Sequence, residues 1–329
     1  MSLMPPTAPR HPVTREFHGR TFTDDYEWMR DKESPETLAH LEAENAYTEQ
    51  QTADIADLTE TIYTEIKSRI KETDMSVPVR AGDYWYYGRT IEGKNYGLSC
   101  RIPVSEGQDP WVAPVIPEDG EVEGEQILLD LNELAEGHEF FSLGASSVTT
   151  SGRYLAYSVD TAGDERFDLY VKDLETGELL DDHLTDVFYG ATWAGEEHLF
   201  YQRVDEAWRP DTVWRHRIGT DPSEDVCVYR EDDEHFFTGV GVTRCETYLI
   251  IEAASKITSE TRVLELDNPE GEFRVLWPRE SGVEYSVDHA VVGGESRWVV
   301  THNATGPNFE VGECSVDTLP PLRDLHVLI

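Results

Sequence analysis

Hydrophobic residues change period near residue 75. Before it they fall three or four positions apart; after it they alternate in short aromatic and β-branched runs. The segment up to about residue 33 is Pro-rich and reads as irregular. Ser34-Pro35-Glu36 then has the make-up of a helix start: a hydroxyl to cap, a proline in the first turn and an acid at the positive end of the dipole. Leu38, Leu41 and Ala46 follow at helical spacing. A second run sets Ile55, Leu58, Ile62, Ile66 and Ile70 in one apolar stripe, with Lys67, Arg69 and Lys71 where cations suit the negative end. Asp74 to Pro78 breaks the pattern. A helical N-terminal arm over residues 1–75 is predicted.

From residue 76 the signal is repetition. DYWYYGRT (83–90), RYLAYSVD (153–160), HLFYQRVD (198–205), TYLIIEAA (247–254) and RWVVTHNA (297–304) read as equivalent strands. About ten to fourteen residues after each lies a partner strand: YGLSCRIP, DLYVKDLE, TVWRHRIG, TRVLELDN and FEVGECSV. Turn residues follow, such as Glu175-Thr176-Gly177-Glu178 and Asn268-Pro269-Glu270-Gly271. The last four units recur at roughly 44 to 50 residues, and the first is stretched by a Pro/Gly-rich insert around 103–124. Four short strands per unit at that period is the pattern of a propeller blade. A plain β-sandwich would not repeat one strand–turn–strand phrase five times. The expected fold is mainly β: a β-propeller of about five blades over residues 76–329, preceded by a short α-helical segment.

Composition narrows the partners. With 329 residues, 39% hydrophobic and 10% aromatic, the chain can bury a sizeable core, which excludes global disorder. The 66 Asp+Glu against 27 Lys+Arg repel nucleic acid and anionic membranes, so neither is expected as a partner. A cationic partner or a salty cytosol suits that balance, and solubility alone is the plainer account of it. Cys100, Cys227, Cys245 and Cys314 lie far apart with no metal spacing, as expected of reduced thiols buried among strands. There is no charged-then-apolar leader and no run of roughly eighteen apolar residues, so a cytoplasmic protein is expected.

Candidate chemistry is sparse. No G-x-S-x-G occurs; GASSV (144–148) lacks the second glycine and reads as a strand start. There is no P-loop, no G-x-G-x-x-G and no H-E-x-x-H. Asp181-Asp182-His183, Asp233-Glu234-His235 and Asp288-His289 have the residue types of metal ligands. Each lies near a predicted blade junction, where such residues are ordinary solvated loop residues. No catalytic residue, cofactor or metal is therefore assigned. The run Tyr84-Trp85-Tyr86-Tyr87 could stack a ligand, but strand propensity and packing between blades account for it without one.

DDYEWMRD (24–31) followed by SPETLAHLEAENAYTE (34–49) resembles the N-terminal signature of the prolyl oligopeptidase family, with Asp24, Tyr26 and Trp28 as its structural residues. YWYYGRTIEGKNYGLSCR (84–101) and the stretch from Gln126 to Gly177 are most similar to the oligopeptidase B branch. Asp25 departs from the family's usual proline, which bears only on the local turn. The resemblance implies an enzyme in three parts: a helical arm, a seven-bladed propeller that admits short peptides and excludes folded proteins, and a C-terminal α/β-hydrolase domain carrying Ser, Asp and His. Cleavage after Lys or Arg is implied for that branch.

On this pattern the sequence holds the arm and about five of seven blades, and the α/β-hydrolase domain is absent. Two more blades and the catalytic domain are expected to follow, no triad residue maps onto this chain, and the chain alone is expected to be inactive. The implied partners are short basic peptides in the full-length enzyme and the missing catalytic domain. Closing five blades takes about 72° per blade against about 51° for seven, which predicts an open arc able to self-associate through an uncovered edge. Two other readings stand beside this one: a non-catalytic propeller that binds peptides or proteins, and a natural truncation that associates with a full-length relative. Tyr26 and Trp28 are expected to pin the arm to a neighbouring surface, in the family that of the rest of the peptidase.

Overall fold

The computed structural model describes residues 4–105, 107, 109, 111–117 and 120–329, in two units: residues up to Lys71, and Glu72–Ile329. In the first unit Ser34 caps a helix, α1 (Pro35–Thr52), its hydroxyl accepting the Thr37 N–H at 3.1 Å. A 3-10 turn, Ala53–Ile55, leads into α2 (Ala56–Lys67). Its stripe residues Ile55, Leu58, Ile62 and Ile66, with Ile70 just beyond, are all exposed. The segment expected to be irregular contains a hairpin, Val13–Phe17 paired with Arg20–Asp24. Its turn residues His18 and Gly19 both have positive φ, as a tight twisted hairpin requires. Every residue of both strands is exposed, so no buried face marks them in the sequence.

The second unit is five antiparallel sheets laid out in chain order. Blade 1 is Tyr84–Thr90, Leu98–Pro103 and Gln126–Asp130, with Asp74–Met75 and Val79–Ala81 both pairing onto Tyr84–Thr90. Residues 74 and 75, placed in the arm by the sequence pattern, therefore hydrogen-bond with this sheet. Blade 2 is Ser142–Val148, Tyr154–Asp160, Phe167–Asp173 and Leu179–Val187. Blade 3 is Ala191–Ala194, His198–Val204, Pro210–Arg217 and Val226–Arg230. Blade 4 is Phe237–Val242, Tyr248–Ala254, Ser259–Glu265 and Arg274–Val275, and blade 5 is Tyr285–Val292, Glu295–His302, Glu310–Ser315 and His326–Val327. The repeated phrase of the sequence is the middle pair of strands in every blade. All strand pairs among the described residues are antiparallel, so none belongs to the parallel sheet of an α/β-hydrolase.

The core is made where blades meet. Strand Phe167–Asp173 buries every second side chain, and Phe167, Leu169 and Val171 pack with Trp193, Leu199 and Tyr201 of blade 3. Phe200 and Val213 then meet Leu249, Ile251 and Leu264 of blade 4. Tyr248 and Val263 meet Tyr285, Trp298 and Val300 of blade 5. Leu128 and Leu129 of blade 1 meet Leu155 and Tyr157 of blade 2. Each fully buried large side chain stabilises the unit by about 1.5–3 kcal/mol relative to exposure. Blade 1 also buries Tyr87, Leu98 and Cys100 with Ile116 from the insert after its middle strands. Trp85 and Tyr87 of the aromatic run are core, as packing alone requires.

Gly144, in the GASSV stretch, lies inside the first strand of blade 2, where an added Cβ would fall 2.5 Å from Ser158 Oγ and 2.7 Å from the Phe167 ring. That close approach accounts for the glycine without any nucleophile. Two of the thiols are buried in strands as expected, Cys100 and Cys314; Cys227 is only half-buried, and Cys245 is exposed because it sits in a turn rather than a strand. Among the described residues, no helix is long and apolar enough to cross a membrane.

Candidate functional site

Antiparallel meanders put the turns between middle strands and the links between blades at one end of the sheets. At that end, blade 4 and the links joining it to blades 3 and 5 surround a cleft of about 970 Å³. Its walls are the link Asp233–Phe237, the turn Ala254–Thr258, and Arg279 and Ser281 of the link to blade 5.

Arginines fix these loops. Arg209, in the blade 3 turn, donates from Nη1 to the carbonyls of Glu231, Asp233 and Phe236 at 3.2, 3.0 and 3.0 Å. Its Nε donates to Asp205 at 3.0 Å. Arg279 donates to the buried Glu231 carboxylate and to the Tyr229 hydroxyl, and its guanidinium lies 3.9 Å from the centre of the Phe236 ring. Burial opposes ionisation of Glu231, yet the Arg279 and Tyr229 hydrogen bonds hold its carboxyl below the usual range. His235 is exposed, and its hydrogen bond with Asp233 at 2.7 Å raises its pKa. Phe237 and Ile257 present exposed apolar surface.

This cleft can hold a ligand but has no activated nucleophile. Ser255 donates its hydroxyl to the Thr258 carbonyl and accepts the Ile257 and Thr258 N–H groups, so the turn uses it fully. Among the described residues no serine hydroxyl is hydrogen-bonded to a histidine, the pairing that a serine nucleophile needs.

The two metal-like triplets and the pair Asp288-His289 do not converge, and no group of three or more His, Cys, Asp or Glu among the described residues could hold a metal. Asp233 and His235 line the cleft. Asp182 is turned into the junction of blades 2 and 3, while His183 stacks on Tyr170 with centroids 4.6 Å apart. Asp288 accepts the Arg244 N–H at 3.0 Å. In the first unit, Asp24 accepts the Tyr26 N–H at 2.8 Å, and Tyr26 starts the 3-10 turn Glu27–Arg30. Trp28 donates from Nε1 to the Pro9 carbonyl at 3.0 Å and lies edge-on to His11 and His40. Trp28 thus ties three parts of the arm to one another, and Tyr26 is exposed.

A second polar cluster was not assembled from the sequence, although Asp182, one of its members, had been singled out there. His216, fully buried in the third strand of blade 3, lies between two carboxylates. Nε2 is 2.9 Å from Asp182 Oδ1 of blade 2, and Nδ1 is 2.7 Å from Asp225 Oδ1. Asp182 also accepts the Gly219 N–H at 2.6 Å, and Tyr201 donates its hydroxyl to Asp225 at 2.8 Å. Burial alone would push the imidazole down, but the hydrogen bonds and charges of Asp182 and Asp225 outweigh it and raise His216 to about 9. Burial likewise opposes Asp182, whose hydrogen bonds to His216 and Gly219 hold it below the usual range. The only sequence hint was an ionisable residue at an inward position of a strand.

These features define a β-propeller unit with a loop-walled cleft and a helical arm. The chain belongs to the prolyl oligopeptidase family: the description of its N-terminal beta-propeller domain matches residues 5–328. Dipeptidyl aminopeptidase BI of Pseudoxanthomonas mexicana is 37% identical over 323 residues, covering 96% of this chain and 44% of that relative. Protease 2 of Moraxella lacunata is 32% identical, covering 97% and 44%. The structure of oligopeptidase B from Trypanosoma brucei with covalently bound antipain superposes with a TM-score of 0.84 at 34% identity, covering 99% of this chain and 46% of that one. The chain thus spans less than half the length of these relatives.

Proposed function

We propose that this chain is the access-restricting propeller portion of an oligopeptidase B-like serine peptidase acting on short peptides after Lys or Arg. The observation that carries the reading is the match along residues 5–328 by a chain spanning 44% of its curated relatives. On this reading the Ser, Asp and His of catalysis belong to a part of the enzyme without counterpart in residues 1–329, and this polypeptide alone is inactive. The missing G-x-S-x-G and the turn-bound Ser255 support that. The excess of 66 acids over 27 bases draws cationic peptides by long-range, salt-sensitive attraction. Phe237 and Ile257 offer such a peptide apolar contact, with Asp233 and Glu234 at hand for its charges. Free thiols and the acid balance support work in the cytoplasm, away from nucleic acid and membranes. The exposed Val291, Val292, Phe309 and Val327 of blade 5 support docking of further peptidase, or of a second copy, on that side.

The test is hydrolysis. The purified chain is expected not to turn over a blocked arginyl-amide fluorogenic peptide, and serine-reagent-sensitive turnover would overturn its inactivity. The native gene read past the Ile329 codon is expected to continue into a G-x-S-x-G, and its product to cleave the blocked arginyl substrate. Release of dipeptides from free N-termini instead would assign it the activity named for the Pseudoxanthomonas relative. A stop codon there would favour a non-catalytic peptide-binding propeller, the reading that the cleft alone supports. Calorimetric titration with an arginine-rich peptide would then read the binding directly.

A further inference from the structure

The fifth residue of the second strand is polar in blades 2, 3 and 4: Ser158, Gln202 and Glu252. Each lies beside a glycine in, or just before, the first strand of its blade: Gly144, Gly190 and Gly239. A Cβ added to these glycines would fall 2.5 Å from Ser158 Oγ, 3.5 Å from Gln202 Oε1 and 4.0 Å from Glu252 Cβ. The glycine thus leaves room for a polar side chain, and two of the blades use that side chain internally. Ser158 Oγ accepts the Ala145 N–H at 2.7 Å. Gln202 donates from Nε2 across the junction to the Thr238 carbonyl of blade 4, and to Thr238 Oγ1 at 3.4 Å. Glu252 bears the charge that costs most to bury, yet it has no hydrogen bond or ion pair among the described residues.

Nothing around Glu252 offers it a partner. Tyr248 and Ile250, on the same face of the strand, pack against Val287, Trp298 and Val300 of blade 5. Burial alone raises the Glu252 pKa, with no neighbouring charge or donor opposing it. Thr261, directly opposite on the next strand, is fully buried, and its hydroxyl also lacks a partner. The Tyr285 hydroxyl is already committed, donating to the Trp277 carbonyl at 2.6 Å and accepting the Thr261 N–H at 2.8 Å. Glu252 is nevertheless only half-buried. Val240 of the first strand packs toward blade 3, so Gly239 and Gly241 fall on the blade 5 face, and a Cβ on Gly241 would meet nothing within 4 Å. Two oxygens without donors therefore stand side by side behind positions that carry no side chain. Since serine or glutamine satisfies this position in blades 2 and 3, packing explains neither the carboxylate nor the gap before it.

We propose that Glu252 receives the cationic side chain of a bound peptide, a guanidinium or an ammonium reaching it past Gly239 and Gly241. Both unpaired oxygens are acceptors. A guanidinium carries a planar fork of N–H donors that can serve the carboxylate and Thr261 Oγ1 together, and its charge offsets that of the desolvated carboxylate. The inference rests on the reading of this propeller as one that receives basic peptides. It adds a residue that holds one of their charges, two positions along the strand from Ala254 of the cleft wall.

Binding to the purified chain is measured by calorimetry with N-acetyl-Gly-Arg-Gly-amide and with its citrulline counterpart, which keeps the shape and lacks the charge. The arginine peptide is expected to bind about tenfold more tightly, as a charge-assisted pair requires. Glu252→Gln should abolish that preference. Glu265→Gln, which removes an exposed acid from the same blade, should leave it within about twofold. Gly241→Val, which fills the gap and keeps the carboxylate, should remove most of it. The urea midpoint of Glu252→Gln should equal or exceed that of the unaltered chain, because a desolvated charge has gone. A lower midpoint, with Gly241→Val keeping the full preference, would mark Glu252 as a structural residue and overturn the site. A preference that survives Glu252→Gln overturns the site and leaves the basic-peptide reading standing. Failure of the unaltered chain to bind the arginine peptide at all overturns both.

Discussion

The junction of blades 2 and 3 and the junction of blades 3 and 4 with the link to blade 5 each bury a cation among carboxylates, but with different cations. In the first, His216 lies between Asp182 and Asp225 with none of its side chain exposed. In the second, Arg279 spans Glu231 and, at 3.8 Å, Glu260, with about a quarter of its side chain exposed. Guanidinium keeps its charge at any pH the fold survives, whereas imidazole can lose it. The histidine clasp therefore has a pH limit at each end and the arginine clasp only one, on the acid side. What the difference teaches is that the two junctions can be loosened separately. Neither cluster need stabilise the fold more than an apolar replacement would; the cost lies in removing one partner and leaving the others buried.

The largest expected effect is therefore His216→Asn, which leaves two nearly inaccessible carboxylates facing each other without a cation. A loss of about 4 kcal/mol is expected, read as a lower urea midpoint with an unchanged slope. Next comes alkaline pH. A histidine whose folded pKa stands near 9, above its ordinary 6.5, contributes stability that is complete below about pH 6.5 and lost as pH rises through about 9. Between pH 6 and 10 the wild type should lose about 3 kcal/mol that His216→Asn does not lose. Parallel curves for the two proteins would show that other groups carry the alkaline limit. At the acid end the sign reverses. Asp182 is held below its ordinary value, so its contribution is present above about pH 4 and disappears as pH falls further.

Legibility in the sequence followed the range of the interactions. The middle strands of all five blades were readable because each must alternate to feed one inter-blade core, and the Ser34 cap was readable because it is made within four residues. The Val13–Asp24 hairpin was not, because an exposed strand pair has no hydrophobic face. The clasps were not readable either. Asp182 and His216 are brought together only by the packing of two sheets, as are Glu231 and Arg279. The run Asp181-Asp182-His183, read as solvated loop residues, was misplaced for a related reason: it lies in a strand, where neighbours point to opposite faces, so Asp182 turns inward while His183 lies on Tyr170. Cys245 and His289 likewise meet only across two blades.

Two smaller perturbations sharpen the comparison. Arg279→Met keeps much of the side-chain volume over Phe236 but strips the cation from Glu231. A loss of about 2 kcal/mol is expected, smaller than for His216 because water can reach the vacated guanidinium position. That loss should be constant from pH 6 to 10, and a slope there would mean that Arg279 and His216 are coupled through blade 3. The smallest effect is expected at Arg323, which clamps Glu280 with two hydrogen bonds of 2.8 and 3.0 Å, a geometry comparable to the buried clasps. Its side chain is 54% exposed and that of Glu280 is 61% exposed. In that setting water competes for both ions, so Arg323→Gln should cost no more than about 0.5 kcal/mol in low-salt urea melts. Even that difference should vanish in 1 M salt, where the screening length falls to about 3 Å. If Arg323→Gln instead matched Arg279→Met, hydrogen-bond geometry rather than burial would set the strength of these clasps. The two junctions would then owe nothing of their strength to their position between blades.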